Sequence, residues 1–275
     1  MIKQVILSRK GFDGDAGGIP SPIYNNKLIS IPIPEVNTGI KYDDLIFDEN
    51  DSYLKLLLDL NKNYFTECHL DPDLYKESYP RDNWLPVFGQ SGGAATRLKN
   101  VGKDSLFLFY GWFREIEKKN GKYQYIKTAP DIHCIYGYLV VKEVLLTPND
   151  KERIKEIKHP HSISSKYEKL NYLNAKNNKL FIGIEYYPEI EKRGYGYFNF
   201  NENLVLTDIK SKNRSKWSLP LFFLNENIRG YKEIERNDAN VIIQFIGRNH
   251  QELIISETDE IIDWAIQLIK NSITY

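Results

Sequence analysis

The chain has 275 residues, 41% hydrophobic and 27% charged, the mixture of a globular protein and not of a disordered one. Lys+Arg and Asp+Glu are both 37, so the formal charge is zero; that excludes a generally basic, histone-like binder of nucleic acid and leaves room for a local basic strip. No apolar run approaches the roughly 20 residues that span a bilayer. The opening Met1–Leu7 reads as a strand and not a signal peptide. The two cysteines are too few for a disulfide framework, so the expectation is a cytoplasmic protein with reduced thiols and no membrane contact.

Scarce Ala and abundant Tyr and Ile weaken helix and favour strand. Ile2–Ser8 reads as a first strand running into glycine-rich turn chemistry. Asn50-Asp51-Ser52 can cap a helix carrying Leu54, Leu57 and Leu58 on one side. Ser91–Leu98 reads as a short second helix with Ala94, Ala95 and Leu98 inward. Ser105–Phe113 is apolar at nearly every position, as suits a strand covered on both faces, and the charged segment behind it ends in Asn120-Gly121, a hairpin signal. Ile132–Leu146 is a long strand pattern, continued by Leu180–Tyr187, Tyr195–Phe200, Leu204–Ile209, Val241–Ile246 and Glu252–Ile255, the last two flanking a Gly-Arg-Asn-His turn. Thr258–Ile273 has Ile261, Ile262, Ala265, Leu268 and Ile269 at helical spacing. The sum is a single α+β domain over 1–275: a strongly bent, mainly antiparallel sheet or barrel with a few flanking helices.

Several constellations can carry chemistry. Arg9 and Lys10 end the first strand, glycines follow, and Asp13 lies within five residues, an arrangement that can hold a phosphate or simply form a self-neutralising turn. His69, Asp71 and Asp73 alternate, so an extended backbone puts them on one face for acid/base work or for a divalent ion such as Mg; the plainer reading is an Asp-Pro turn. Gln90 opens a Gly-rich helix entry and can read a base edge. Tyr110, Trp112 and Arg114 close an apolar strand and offer a stacking platform beside a phosphate contact, against the plainer reading of core packing. Lys210, Lys212, Arg214 and Lys216 fall at every second position and end in Trp217; on an extended strand they line one face that can track a nucleic-acid backbone or merely guard a sheet edge. The pairs Cys68-His69 and His133-Cys134 lack the usual ligand gap of zinc sites, so no residue set is assigned to a metal. His159-Pro160-His161 reads as an exposed loop.

Four segments in this order carry a resemblance: Leu7-Ser-Arg-Lys-Gly-Phe-Asp13 with Gly18-Ile-Pro-Ser-Pro-Ile23, His69-Leu-Asp-Pro-Asp-Leu74, Phe88-Gly-Gln90 with Gly93-Ala-Ala95, and Asp104–Arg114. They resemble the third nucleotide-modification-associated domain family of bacteria and phages. Many of its members have a histidine near position 97, where this chain has Arg97. The resemblance implies a setting of DNA base modification or phage–host conflict. A second, purely architectural likeness joins Asp104–Tyr110 and Ile135–Val144 to the strand pair of PUA-like barrels of the EVE and ASCH groups.

The expectation is therefore a protein that recognises or processes a nucleotide or modified DNA base, with DNA and a protein of a modification or defence system as partners. Arg9 and Lys10 would neutralise phosphate, Tyr110 or Trp112 would stack, Gln90 would read an edge, and Asp13, His69, Asp71 and Asp73 would supply acid/base groups. The alternatives are a non-catalytic modified-nucleic-acid binding module and a nucleotide-signal sensor in phage defence.

Overall fold

Long apolar runs broken by turn residues make strand the dominant element. The computed structural model describes residues 1–48, 51–61, 65–164, 171–225, 231–237, 239–245 and 251–275, and it is sheet-rich with four α-helices among them. Strands β1 (Gln4–Arg9), β2 (Ser21–Tyr24), β3 (Lys27–Leu28), β4 (Ile33–Pro34), β5 (Ile46–Asp48) and β6 (Asp51–Ser52) lead to helix α1 (Tyr53–Asp59). Then come β7 (Cys68–His69), β8 (Val87–Gln90), α2 (Gly92–Arg97), β9 (Ser105–Lys119), β10 (Lys122–Tyr125), β11 (Ile132–Leu146) and α3 (Lys151–Glu156). The order ends with β12 (Lys179–Gly183), β13 (Tyr195–Tyr197), β14 (Lys216–Pro220), β15 (Tyr231–Arg236), β16 (Asn240–Phe245), β17 (Glu252–Ser256) and α4 (Asp259–Lys270).

The large sheet is mixed and follows the path β17-β1-β9-β11-β12-β8. β1 and β2 both run parallel to β9, and the other pairings in this sheet are antiparallel. The path has two open ends among the described residues, so backbone pairing does not close the PUA-like barrel. The sheet curls instead. β11 carries irregularities between Ile135 and Gly137 and between Val141 and Glu143, and such bulges bend a strand. Phe88 of β8 thereby meets Phe107 and Phe109 of β9, three strands away, at ring centroid separations of 4.9 and 5.2 Å. Phe181 of β12 stacks on Phe88 at 5.6 Å, and these rings fill the concave face.

Helix α1 is capped by Ser52, whose hydroxyl accepts the Lys55 N–H, and it buries Tyr53, Leu56 and Leu57. Leu58, expected inward, is 47% exposed, because the buried face is the one that carries Tyr53, Leu56, Leu57 and Leu60 at helical spacing. Asn50 and the Gly-Arg-Asn-His turn lie outside the described residues. Leu204–Ile209 is not a strand: it follows the 3-10 turn Glu202–Leu204 with isolated bridges at Val205 and Thr207.

The alternation expected of residues 210–217 also gives way. The Ser211 N–H bonds the Asp208 carbonyl, and the Ser215 N–H bonds the Asn213 side chain, so a turn occupies this stretch and strand begins only at Lys216. Trp217 is fully buried and donates its ring N–H to His133 Nδ1 at 2.9 Å. No described helix is long and apolar enough to cross a membrane.

Two outcomes follow from this core. Phe88→Ala should cost about 3–5 kcal/mol in urea unfolding, whereas Leu58→Ala should stay within about 0.5 kcal/mol. Burial, reinforced by the Arg214 and Arg9 charges, lowers the His133 pKa to about 3. The unfolded chain, with a value near about 6.5, takes up that proton first. The His133 contribution is thus fully present above about pH 6.5 and is lost as the pH falls toward 3, by up to about 1.4 kcal/mol per pH unit. Unfolding titrations of His133→Gln should show a shallower loss over that window than the native chain.

Candidate functional site

Where β1 ends, the chain leaves the edge of β9 and rejoins it one detour later. The Lys10 N–H still bonds the Tyr110 carbonyl at 2.9 Å, and β2 resumes the same edge at the pair Ser21–Phe113. The intervening loop turns at Gly11 (φ +80°), where a Cβ would strike the Ser30 hydroxyl. Asp13 Oδ1 accepts the N–H groups of Asp15 and Ala16 at 2.9 and 2.7 Å, and its Oδ2 lies 3.6 Å from Arg9, whose side chain is 17% exposed. The loop is therefore both a self-neutralising turn and a support that fixes Arg9.

Residues 68–73 form the second wall, held from both sides. His69 pairs with Ile33 of β4, and the backbone of Asp73 exchanges hydrogen bonds with Val87 of β8. Between them the Gly89 N–H donates to Asp71 Oδ1 at 2.7 Å. His69 and Asp71 face one cleft, as the alternation predicts. Asp73 turns away into an ion pair with Arg81 and accepts the Trp84 ring N–H at 3.0 Å. Burial pushes the Asp73 carboxyl up in spite of those two partners.

The third wall comes from the segment between β11 and β12. His159-Pro160-His161, expected to be an exposed loop, is buried: His159 caps a 3-10 turn and accepts the His161 N–H at Nδ1. Both rings pack where Gly89 has no side chain, since a Cβ there would collide with His161 and crowd His159. His159 Nε2 lies 3.3 Å from Asp71 Oδ1. Burial raises the Asp71 pKa, but His159, Lys10 and His161 outweigh it and hold the carboxyl below its usual range. Burial and the adjacent His69 hold His161 well below the ordinary histidine value. Glu35 completes the wall: Oε2 sits 2.6 Å from His69 Nδ1, and Oε1 accepts the Tyr172 hydroxyl at 3.0 Å.

The seam between the sheet's open ends closes the cleft. Gln90 of β8 donates to Glu252 Oε1 at 2.7 Å and to Gln251 Oε1 at 3.0 Å. Lys10 donates to the same Gln251 oxygen at 3.2 Å and lies over the Phe88 ring. Burial lowers the Lys10 pKa, with Asp71 and Glu252 pulling it back up and Arg9 pressing it further down. The cavity is about 330 Å³, lined by Arg9, Lys10 and Asp13 on one side and by His69, Asp71 and His161 on the other. That is at the small end of the roughly 300–1,000 Å³ usual for ligand pockets.

The remaining candidates lie elsewhere. Tyr110 is fully buried, with its ring against His133 and Trp217, so no face is open for stacking. Trp112 is half-buried with the Arg214 guanidinium 3.9 Å above its ring. Arg114 donates to the Ile126 and Lys127 carbonyls at 3.1 and 3.0 Å. Lys210 and Lys212 are exposed on the turn, and Lys216 lies 4.0 Å from Asp208. The Gly92 N–H at the start of α2 is taken by Asn177. Cys68 and Cys134 are buried in separate apolar clusters and take no part in any potential ligand group among the described residues. Glu35 and Tyr172 were not singled out by sequence, and His159 and His161 were read as loop; the x-Pro-x spacing of the two histidines, alternate like His69 and Asp71, was the available signal.

No curated protein sequence and no solved structure matches the chain. The family model described as nucleotide modification associated domain 3 matches residues 4–254, the span that carries all three walls of the cleft and its closing seam, and the chain belongs to that family.

Proposed function

We propose that the cleft recognises or processes a nucleotide or a modified base with its phosphate, in a DNA-modification or defence setting. The observation that carries this reading is the meeting of Arg9 and Lys10 with His69 and Asp71 in one cavity. The two cations suit a phosphate, and a carboxylate beside imidazoles suits proton transfer or ion binding next to it. Membership of the nucleotide-modification-associated family points the same way. A purely stacking, non-catalytic pocket is less favoured, because Tyr110 is buried and Trp112 is covered by Arg214. Base recognition through Gln90 would require the base to exchange for the seam bonds that its amide now makes. DNA contact through Lys210 and Lys212 is a separate, additive reading that rests on their exposure.

Thermal-shift titrations with nucleotides, modified nucleosides and short DNA, followed by mass spectrometry, test this. Arg9→Gln or Lys10→Gln should weaken nucleotide binding roughly tenfold to a hundredfold, the worth of a charge-assisted hydrogen bond. Lys212→Glu should leave free-nucleotide binding unchanged and reduce only a salt-sensitive DNA affinity. A mass change marks an enzyme, and a shift without one marks a reader or sensor. No shift with any of these ligands would overturn the nucleotide reading.

A further inference from the structure

The walls of the cleft bring three lone-pair donors together. His69 Nδ1 is engaged by the Glu35 carboxylate at 2.6 Å, so its proton belongs there and Nε2 carries the lone pair. His161 Nδ1 is 2.7 Å from Asn178 Oδ1, and the Asn178 amide donates to the His161 carbonyl at 2.9 Å, which fixes the amide orientation and makes Nδ1 the donor. His161 Nε2 is left as a second lone pair. Asp71 Oδ1 is taken by the Gly89 N–H, and Oδ2 lies 3.9 Å from His69 Nε2. One ligand atom from each of His69, Asp71 and His161 lies within 4.8 Å of the other two. All three are nearly withdrawn from water: the His69 and Asp71 side chains are 9% and 4% exposed, and His161 as a whole residue 3%.

Buried acceptors facing one another repel unless a cation joins them. Lys10, a cation of the same cleft, donates to Gln251 and lies over the Phe88 ring, and it is not among the three groups' hydrogen-bond partners. The outer partners also have the pattern that metal-binding histidines show: each ring gives its second N–H to a carboxylate or a carbonyl oxygen, which sets the tautomer and the aim of the ring. We propose that His69, Asp71 and His161 bind one divalent first-row transition ion, Zn(II) or Fe(II) in preference to Mg(II), with its open coordination face toward Arg9 and Lys10. Two imidazoles and one carboxylate suit those ions, whereas Mg(II) takes oxygen ligands. Bonds of about 2.0–2.2 Å would draw the three groups inward by roughly an ångström or less. The inference goes beyond the nucleotide reading and does not need it, because ion binding is measured on the protein alone; an anionic oxygen of a substrate would then bridge the ion and the two cations.

The test is equilibrium dialysis of the metal-stripped full chain against Zn(II), Fe(II) without oxygen, Mn(II) and Mg(II), read by elemental mass spectrometry. One Zn(II) or Fe(II) per chain is expected, held at least about a hundredfold more tightly than Mg(II). His161→Ala and Asp71→Asn should each lower that affinity at least a hundredfold, with folding checked by circular dichroism. Since either could unfold the chain, X-ray absorption of the Zn-loaded native protein gives an independent reading: imidazole scattering and no sulfur are expected. A native chain that retains no transition ion, folded variants that bind it undiminished, or sulfur in the first coordination shell would each overturn the assignment.

Discussion

The curl of the large sheet around Phe88 is the constraint on which the rest depends. In sequence along the sheet, β8 is the far edge and β17 the near one. Phe88 is drawn onto Phe107, Phe109 and Phe181, which removes all four rings from water and brings the two edges face to face. Each such ring contributes on the order of 1.5–3 kcal/mol by burial. Among the described residues the edges do not pair by backbone. They meet through Gln90, Gln251 and Glu252, and this side-chain seam leaves room beside it for a cavity that a closed ladder would have filled.

Beside that seam, polar residues converge from several remote stretches of chain. Gly89 is the joint. Its N–H holds Asp71, and its missing Cβ admits the rings of His161 and His159. One residue after an aromatic core anchor, the same strand therefore sets the carboxylate and the imidazoles. One residue further, Gln90 ties the opposite edge. The charged groups are stacked in layers: Glu35 and Asn178 behind the imidazoles, Asp13 behind Arg9, and Gln251 beside Lys10. Side chains braced in this way keep their aim without a ligand, which is the preorganisation that recognition and catalysis reward.

Membership of the nucleotide-modification-associated family gives this cavity a topic, and its residues give it a chemistry. Cations on one side and imidazoles with a carboxylate on the other distinguish it from an aromatic reading pocket, whose candidate rings are used here for the core or covered by Arg214. Lys210 and Lys212 are exposed on the turn before β14 and line no part of the cavity.

Much of the fold was legible in the chain. Ile132–Leu146 forms a strand over that whole span, Asn120-Gly121 makes a hairpin with positive φ at both residues, and the spacing of Ile261, Ala265 and Leu268 buries one face of α4. These are local matters, decided by side-chain period and by backbone freedom at a turn. The Arg9-Lys10 loop and the His69-x-Asp71 alternation were legible for the same reason. What only the tertiary structure decided depends on contacts between residues remote in sequence. Asp73 leaves the shared face because Arg81 and Trp84 claim it. Tyr110 and Trp217 look like stacking platforms in sequence but become core, because their rings pack edge-to-face on each other and both pack on His133. His159 and His161 sit in a polar stretch that predicts exposure, and they are buried because a glycine some seventy residues earlier leaves space for them. Periodicity carries the pattern of a strand or helix, but it holds no record of which distant side chain is absent, and here that absence shapes the site.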